Sequence, residues 1–412
     1  MGSMNKIDFF ENLDEFIAIG QEIIESSESI VNDNKVERFY KLKEIADMCG
    51  VSSTAIASAE KIGRIPQPQK IGNKRLGHTV SDIREILKAF NLEPKQDDDP
   101  TVTVSFATLK GGSWKTTTAF NFTCYCASIG YSVLVVDLDP QATLSMLFGQ
   151  SPDYKTTIDD TLGPYLIGSE GYDIERFKSE VVRSTRLKGC VDIIPSCSEM
   201  QLVEALLTNQ MVESRLEGEK EDMLNSFFRL QKILDEVKSD YDIVVLDGTP
   251  SLGILPLNIV CASDVSVIPS PTAVNDFCST ITYLRLLRDY VSSVTDFTDI
   301  EIPMPSILAV PTKYSANQST TSVAKWWLLK IREVFGSHCT KSVIQKHDSV
   351  IDNCSSLQCS IFETMPGDLG IKRDARDRAM ANYSSVFDEI LETSIHPLWP
   401  SKVALWNKIG KV

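Results

Sequence analysis

No run of 18 uncharged apolar residues occurs in the 412-residue sequence, so no membrane span is expected. Histidine is scarce: His78, His338, His347 and His396 make up the whole set, and they fall into no metal-ligand spacing. Ten cysteines are present but no Cys-x-x-Cys pair, which removes the commonest zinc and redox patterns and leaves buried free thiols in a reducing cytoplasm as the expectation. The start carries neither a signal-peptide pattern nor a basic amphipathic anchor. Met1-Gly2-Ser3 reads as an expression scar, with Met4 as the natural start. Positive charge is also in deficit, with 41 Lys and Arg against 56 Asp and Glu, a formal charge of -15. That excludes a uniformly basic nucleic-acid binder. It does not exclude a local basic surface, because a partner responds to the nearby field.

What is present is unevenly distributed. The length allows two or three domains, and an apolar fraction of 42% supports a true core. Residues 1–34 hold one lysine and eight acids, whereas residues 35–80 hold nine Lys and Arg against four acids. Over residues 7–30, Ile7, Phe10, Leu13, Phe16, Ile17, Ile23 and Ile24 recur at helical spacing with acids on the other face. A helix this isolated must pack on something, either a second copy of the chain or its own core.

Residues 41–89 read as two short helices around Gly50-Val51. Ile45, Ala46 and Cys49 face inward from the first, Ser52 or Ser53 caps the second, and Ile56 and Ala57 are expected inward from it. This is the helix-turn-helix pattern, whose second helix enters a DNA major groove. Ser53, Thr54, Ser58 and Lys61 are then placed to face DNA, with Arg64 following. Lys70, Lys74 and Arg75 lie in a turn-rich basic stretch resembling a wing that touches phosphates, before Thr79 caps another helix. The alternative is a small helical domain with a basic face. Residues 91–100, with two prolines and three consecutive aspartates, read as a linker.

The segment Lys110-Gly111-Gly112-Ser113-Trp114-Lys115-Thr116-Thr117 lies between the apolar run Val102 to Phe106 and a helix-like stretch to Ser128. Strand, glycine turn and helix in that order make a phosphate-binding loop. The glycines let backbone N–H groups turn toward phosphates, Lys115 neutralises them, and the Thr116 hydroxyl is suited to Mg²⁺. Trp114 stands where such loops usually have glycine. Two further apolar runs end in carboxylates, at Asp137-Leu138-Asp139 and at Asp247. Runs of this kind are expected of parallel strands covered on both faces, whose C-terminal ends meet in one crevice. Each carboxylate alone is compatible with a helix cap; together with the loop they point to a nucleotide site.

These motifs resemble the deviant phosphate-loop ATPases of the ParA/MinD/Soj family. The front segment resembles MerR-like winged helix-turn-helix domains, in particular those of the larger plasmid partition ATPases of the SopA group. The resemblance covers about residues 40–390. It implies an α/β fold: a mostly parallel sheet flanked by helices, preceded by a small winged helix-turn-helix domain and an N-terminal helix. The expected boundaries are 1–34 for a dimer contact, 35–90 for DNA binding, 91–100 for the linker, 101–395 for the ATPase and 396–412 for a tail. Lys110 matches the family's second, signature lysine, which reaches the partner's phosphates across a nucleotide-sandwich dimer. Asp139 would orient or activate the attacking water and Asp137 support the Mg²⁺ shell, or the reverse. Asp247 would act through Mg²⁺-bound water, and Thr312 and Lys313 are weaker base-pocket candidates. A bulky residue before Lys115 is often found in plasmid members with the extra front domain.

By the same resemblance the chain hydrolyses ATP to ADP slowly with Mg²⁺. It binds nonspecific DNA as an ATP dimer, is stimulated by a ParB-like centromere-binding partner, and represses its own operon. It would be cytoplasmic and nucleoid-associated. Lys330, Arg332, Arg373 and Arg376 are the candidates for the nonspecific DNA patch, although each cluster is compatible with an ordinary solvated face. The residues from Trp399 to Lys411 fit either docking on the core or a further DNA contact. A repressor with a regulatory nucleotide switch and a filament-forming ATPase are the alternatives.

Overall fold

The computed structural model describes residues 12–24, 36–251, 253–315 and 321–409. Residues 7–11, 25–30 and Lys411, on which parts of the sequence reading fall, lie outside the described residues, as do Met1 to Ser3. Residues 12–24 are helical, and Phe16, Ile17 and Ile23 on that helix are exposed.

The chain then forms α1 (Leu42–Met48), α2 (Ser53–Lys61), the hairpin β1 (Gln69–Ile71) and β2 (Lys74–Gly77), and α3 (Val80–Ala89). Ser52 starts α2 by accepting the Ala55 N–H, and Thr79 and Asp82 form a reciprocal cap on α3. Tyr40, Ile45, Ala46, Cys49, Ile56 and Ile83 belong to one small core. Ala57, expected inward, is exposed; Ala59 takes that place, because inward positions on so short a helix follow Ile56 by three residues.

Next come β3 (Val102–Phe106), α4 (Lys115–Ser128), β4 (Val133–Asp137), α5 (Thr143–Leu147), β5 (Arg183–Ser184), β6 (Val191–Ile194), α6 (Met200–Glu217), β7 (Ile243–Asp247) and α7 (Ile254–Cys261). They are followed by β8 (Val265–Pro271), α8 (Val274–Thr298), β9 (Ser306–Thr312), α9 (Thr321–Phe335), α10 (Arg373–Ile390) and α11 (Pro400–Ile409). The seven strands β3–β9 lie in the order β5-β6-β4-β7-β3-β8-β9, all parallel to their neighbours except β5, which runs antiparallel to β6. β3, β4, β7 and β8 are rich in β-branched residues and wholly buried because helices cover both faces. β7 is central, with β3 and β4 on either side, and the register aligns Phe106, Asp137 and Asp247 at one edge. The loops after these strands therefore open into one crevice.

α4 is buried from Thr118 to Ser128, between the sheet and α10; Phe122 meets Phe106 and Phe387 at 5.7 and 5.5 Å. Its far end carries the front unit. Gly130, at φ +97°, lies so close that a Cβ would stand 2.5 Å from Leu87 Cδ1 of α3. Arg84 of α3 donates to the Gly130 carbonyl at 3.1 Å and pairs with Asp242.

The start of the tail docks on the core. Trp399 is fully buried, meets Tyr131 at 5.7 Å, and donates from Nε1 to the Pro100 carbonyl at 2.9 Å. Ser401 N–H donates to Asp99 at 2.9 Å, so the stretch read as a linker is fixed where it enters β3. Trp399→Ala is expected to lower unfolding free energy by about 3–5 kcal/mol, read as a lower urea midpoint at unchanged slope.

Candidate active site

The residues between β3 and α4 form a loop closed on itself. Thr108 Oγ1 accepts the Lys110 N–H at 3.2 Å and shares a hydrogen bond with Ser113 Oγ at 3.0 Å. Two residues adopt left-handed backbone, Gly112 at φ +75° and Trp114 at φ +70°. Glycine does this freely, whereas a tryptophan there is strained. Trp114 caps α4, and its carbonyl accepts the Thr118 N–H at 2.8 Å. Gly111 and Gly112 have no atom within 4 Å of where a Cβ would stand, so the glycines meet backbone and ligand demands rather than crowding.

Trp114 is held from the side by the end of β9. The Lys313 ammonium lies 5.7 Å from its ring centroid and donates to the Gly112 carbonyl. Thr312, a base-pocket candidate, is fully buried and reaches the Ser113 carbonyl at 3.4 Å. It supports the loop because β9 passes directly behind it. Neither contact is visible in sequence, since both join segments far apart in the chain.

Lys115, on the first turn of α4, is buried, with Nζ 2.7 Å from Asp247 Oδ1 and 3.7 Å from Asp139 Oδ2; it also donates to the Gly248 carbonyl. Burial alone would lower its pKa, but the charge and hydrogen bond of Asp247 outweigh that and hold it above the usual lysine value. Burial, with the charge of Asp247 added, pushes Asp137 up to about 7. Asp137 was expected in the metal shell. Its Oδ2 accepts the Ser145 N–H and hydroxyl at 2.8 and 2.7 Å, and its Oδ1 accepts the Asp139 N–H. These contacts tie Asp137 to α5 and to the Asp139 backbone. Ser145, on α5, carried no signal in the sequence.

The donor set fits Mg²⁺ and phosphate. Asp247 Oδ2 is buried without a hydrogen-bond partner, and the Thr116 hydroxyl lies close enough to Asp247 to stabilise its ionised form. Asp139 and Asp247 beside one ammonium, with Asp137 close behind, form an acid-rich pocket that a divalent cation would balance. Thr116 and Asp247 would hold that ion. Ser113 is buried in the loop, and Thr117 is half-buried beside Thr116.

Lys110 is partly exposed, and its Nζ pairs with Asp276 Oδ1 at 2.6 Å. Asp276 is on the first turn of α8, and no sequence signal linked it to the loop.

The front unit presents Thr54, Ser58, Lys61, Arg64, Lys70 and Lys74 on its exterior, with Ser53 half-buried. Arg64 also donates to the Ala89 carbonyl and lies over the Phe90 ring at 4.7 Å. Arg75, expected to touch phosphates, instead makes two 2.7 Å bonds to the buried Glu60. Glu60 also binds His78 at 2.9 Å, so Arg75 neutralises an internal carboxylate.

On the core, Lys330 pairs with Glu333 and lies over Trp326, and Arg332 donates to the Lys341 carbonyl. Arg373 is exposed beside Asp377 at 3.2 Å. Arg376, expected on the same DNA-facing surface, is buried at 6% exposure and bonded to Thr364 and Asp377. The three-residue spacing does put it on a shared face with Arg373, but that face turns inward one turn along α10. Arg376 holds the preceding loop and is not a surface cation.

Residues 101–291 match the family model described as an AAA domain. Protein SopA of Escherichia coli strain K12 is 32% identical over 390 residues, covering 93% of this chain and 94% of SopA. The chain belongs to the ParA/MinD/Soj family. Within this family of phosphate-loop ATPases it is related to the SopA-type partition proteins. The putative replication protein A of Sinorhizobium fredii strain NGR234 is 27% identical, with 90% of this chain and 89% of that protein covered. A solved structure described as "Partition Protein" shares the fold with a TM-score of 0.62 at 22% identity, covering 92% of this chain and 99% of that one.

Two outcomes follow for the loop of this ParA-family chain. Trp114→Ala is expected to be about 1 kcal/mol less stable to urea than Trp114→Gly, because alanine keeps the left-handed strain that glycine relieves. Equal stabilities would contradict the left-handed backbone. Lys115→Gln is expected to abolish ATP hydrolysis and cost about 3 kcal/mol by stranding buried carboxylates. Adding Asp247→Asn should restore much of the stability without the activity, measured by urea titration and phosphate release.

Proposed function

We propose that this protein is a DNA-segregation ATPase that works as an ATP-joined homodimer on DNA. The observation that carries the reading is the buried Lys115 set between Asp247 and Asp139, with the second loop lysine, Lys110, partly exposed and paired with Asp276. One lysine serves the phosphates of its own site, and a partly exposed lysine on the same loop serves a neighbour's.

In this reading Gly111 to Thr117 wrap the phosphates of ATP with backbone N–H groups, and the N-terminus of α4 adds its favourable field. Lys115 leaves its carboxylates for the β- and γ-phosphates. Asp139 orients the water that attacks the γ-phosphate, and Asp137 fixes the Asp139 loop. Thr116 and Asp247 would hold Mg²⁺, which would neutralise phosphate charge. Lys110 exchanges Asp276 for the partner's phosphates. ADP and phosphate are the products, and slow turnover suits a switch whose bound nucleotide sets its state.

Residues 35–90 act as a winged helix-turn-helix module, with Ser53, Thr54, Ser58 and Lys61 at the operator and Lys70 and Lys74 on the backbone phosphates. Support comes from the cap at Ser52, the exposed second helix and the hairpin beside it. Residues 1–34 join two copies, 91–100 connect the module to an ATPase unit at 101–395, and 396–412 form a tail in which Trp399 and Ser401 clasp that connection. Lys330, Arg332 and Arg373 serve nonspecific DNA. A ParB-like centromere-binding protein stimulates hydrolysis, and the dimer resides on the nucleoid in the cytoplasm. Among the described residues no helix is long and apolar enough to cross a membrane.

The test is phosphate release with and without DNA and with the purified product of the neighbouring gene. Unaided turnover is expected below about 10 per second, with stimulation by DNA and partner together. Lys110→Ala should keep nucleotide binding but lose ATP-dependent dimers and DNA retention in sedimentation. Absence of stimulation by both additions would refute the partition role, and ATP-dependent polymers in place of dimers would favour a filament.

A further inference from the structure

We infer that the outer face of α6 is a docking surface for a basic amphipathic helix of a partner protein. α6 runs 18 residues, and its inner face is anchored by Met200, Val203 and Leu207. Its outer face also carries large apolar residues, with Asn209 and Glu213 among them. Leu202, Leu206, Val212 and Leu216 are 62%, 46%, 43% and 81% exposed. At 100° per residue they fall within an arc of roughly 120°, along a stripe about 21 Å long. A helix with large apolar residues on both faces ordinarily has something on each.

The charge around the stripe selects the occupant. Glu213 and Glu217 lie along it. At its C-terminal end a groove of about 300 Å³ is lined by Glu213, Glu217, Glu219 and Asp222. Asp222 beside Glu219 lifts its pKa, as crowding of like charges does. The nearby cations are committed elsewhere. Arg229, at the groove wall, donates to the Leu166 carbonyl and Gln210; Arg215 lies over Phe297; Lys220 pairs with Asp299. A second copy presenting the same stripe would bring acid against acid. A helix with leucine-like residues on one face and lysine or arginine beside them meets both features.

The surface is mechanically joined to the nucleotide crevice. Glu204, on α6, accepts the Leu255 N–H of α7 at 3.1 Å, and a Cβ on Gly253 would stand 2.0 Å from Glu204 Oε1. Residues of the same α6 turn, Met200, Gln201 and Glu204, line a cavity of about 310 Å³ with Asp139, Gln141 and Thr249. A partner seated on α6 thus bears on the loop that follows Asp247.

The test uses the full chain without nucleotide or DNA, so that its result is independent of the partition reading. A fluorescent helical peptide of leucine and lysine, segregated into an apolar and a cationic face, is titrated beside a scrambled peptide of the same composition. Anisotropy is expected to show the segregated peptide binding at least about tenfold tighter. Leu206→Asp with Leu216→Asp, and separately Glu213→Lys with Glu217→Lys, should each remove that preference while circular dichroism and basal ATP hydrolysis stay unchanged. Equal binding of both peptides, or a preference that survives both double substitutions, would overturn the proposal. So would loss of self-association in sedimentation with Leu206→Asp and Leu216→Asp at unchanged peptide affinity, which would assign the face to a second copy.

Discussion

The burial of one ammonium beside Asp139 and Asp247, with Asp137 close behind, where parallel strands end, is the constraint around which the core is arranged. Lys115 cannot sit at 6% exposure without Asp247, and Asp247 cannot sit fully buried without Lys115. Their meeting requires β3 and β7 to be neighbours in register, so that the loop after Phe106 and the carboxylate ending β7 arrive together. It requires β4 on the other side of β7, so that Asp137 can direct Asp139 toward the same point. The sheet order thus follows the electrostatics of its edge as much as the packing of its faces.

Much of this was legible because the deciding signals are local. A strand that is buried on both faces reads as an unbroken apolar run, and a carboxylate placed just after it reads as a site residue, as Asp247 shows. The glycine turn and the caps at Ser52 and Thr79 are likewise written within a few residues. What was misread needed knowledge of the other side of a contact. Arg75 and Arg376 looked like free surface cations because arginine usually is one; Glu60 engages the half-buried Arg75, and the Thr364 loop makes Arg376 internal. Helical spacing put Arg376 on the right face of α10 but could not say where that face turns. Ala57 was misplaced because a helix of two turns gives too little periodicity to tell its inward residues from their neighbours.

The oddest residue of the loop shows how a local rule and a distant contact combine. Left-handed backbone at Trp114 follows from the loop's geometry and would be met most simply by glycine. The ring finds compensation in Lys313, itself left-handed at φ +54°, which also ties the Gly112 carbonyl. β9 therefore acts as a brace behind the phosphate loop, and the tryptophan is the part of the loop that the brace grips.

The ion pair between Lys110 and Asp276 has a thermodynamic consequence. An unpaired surface lysine meeting an anion gains an interaction outright, apart from its hydration. Lys110 already has a carboxylate, so any incoming anion only exchanges with Asp276, and the net gain is the difference between two similar attractions. Exchange of this kind is shallow in free energy and fast to reverse, and α8, which carries Asp276, is the element whose displacement would tilt it.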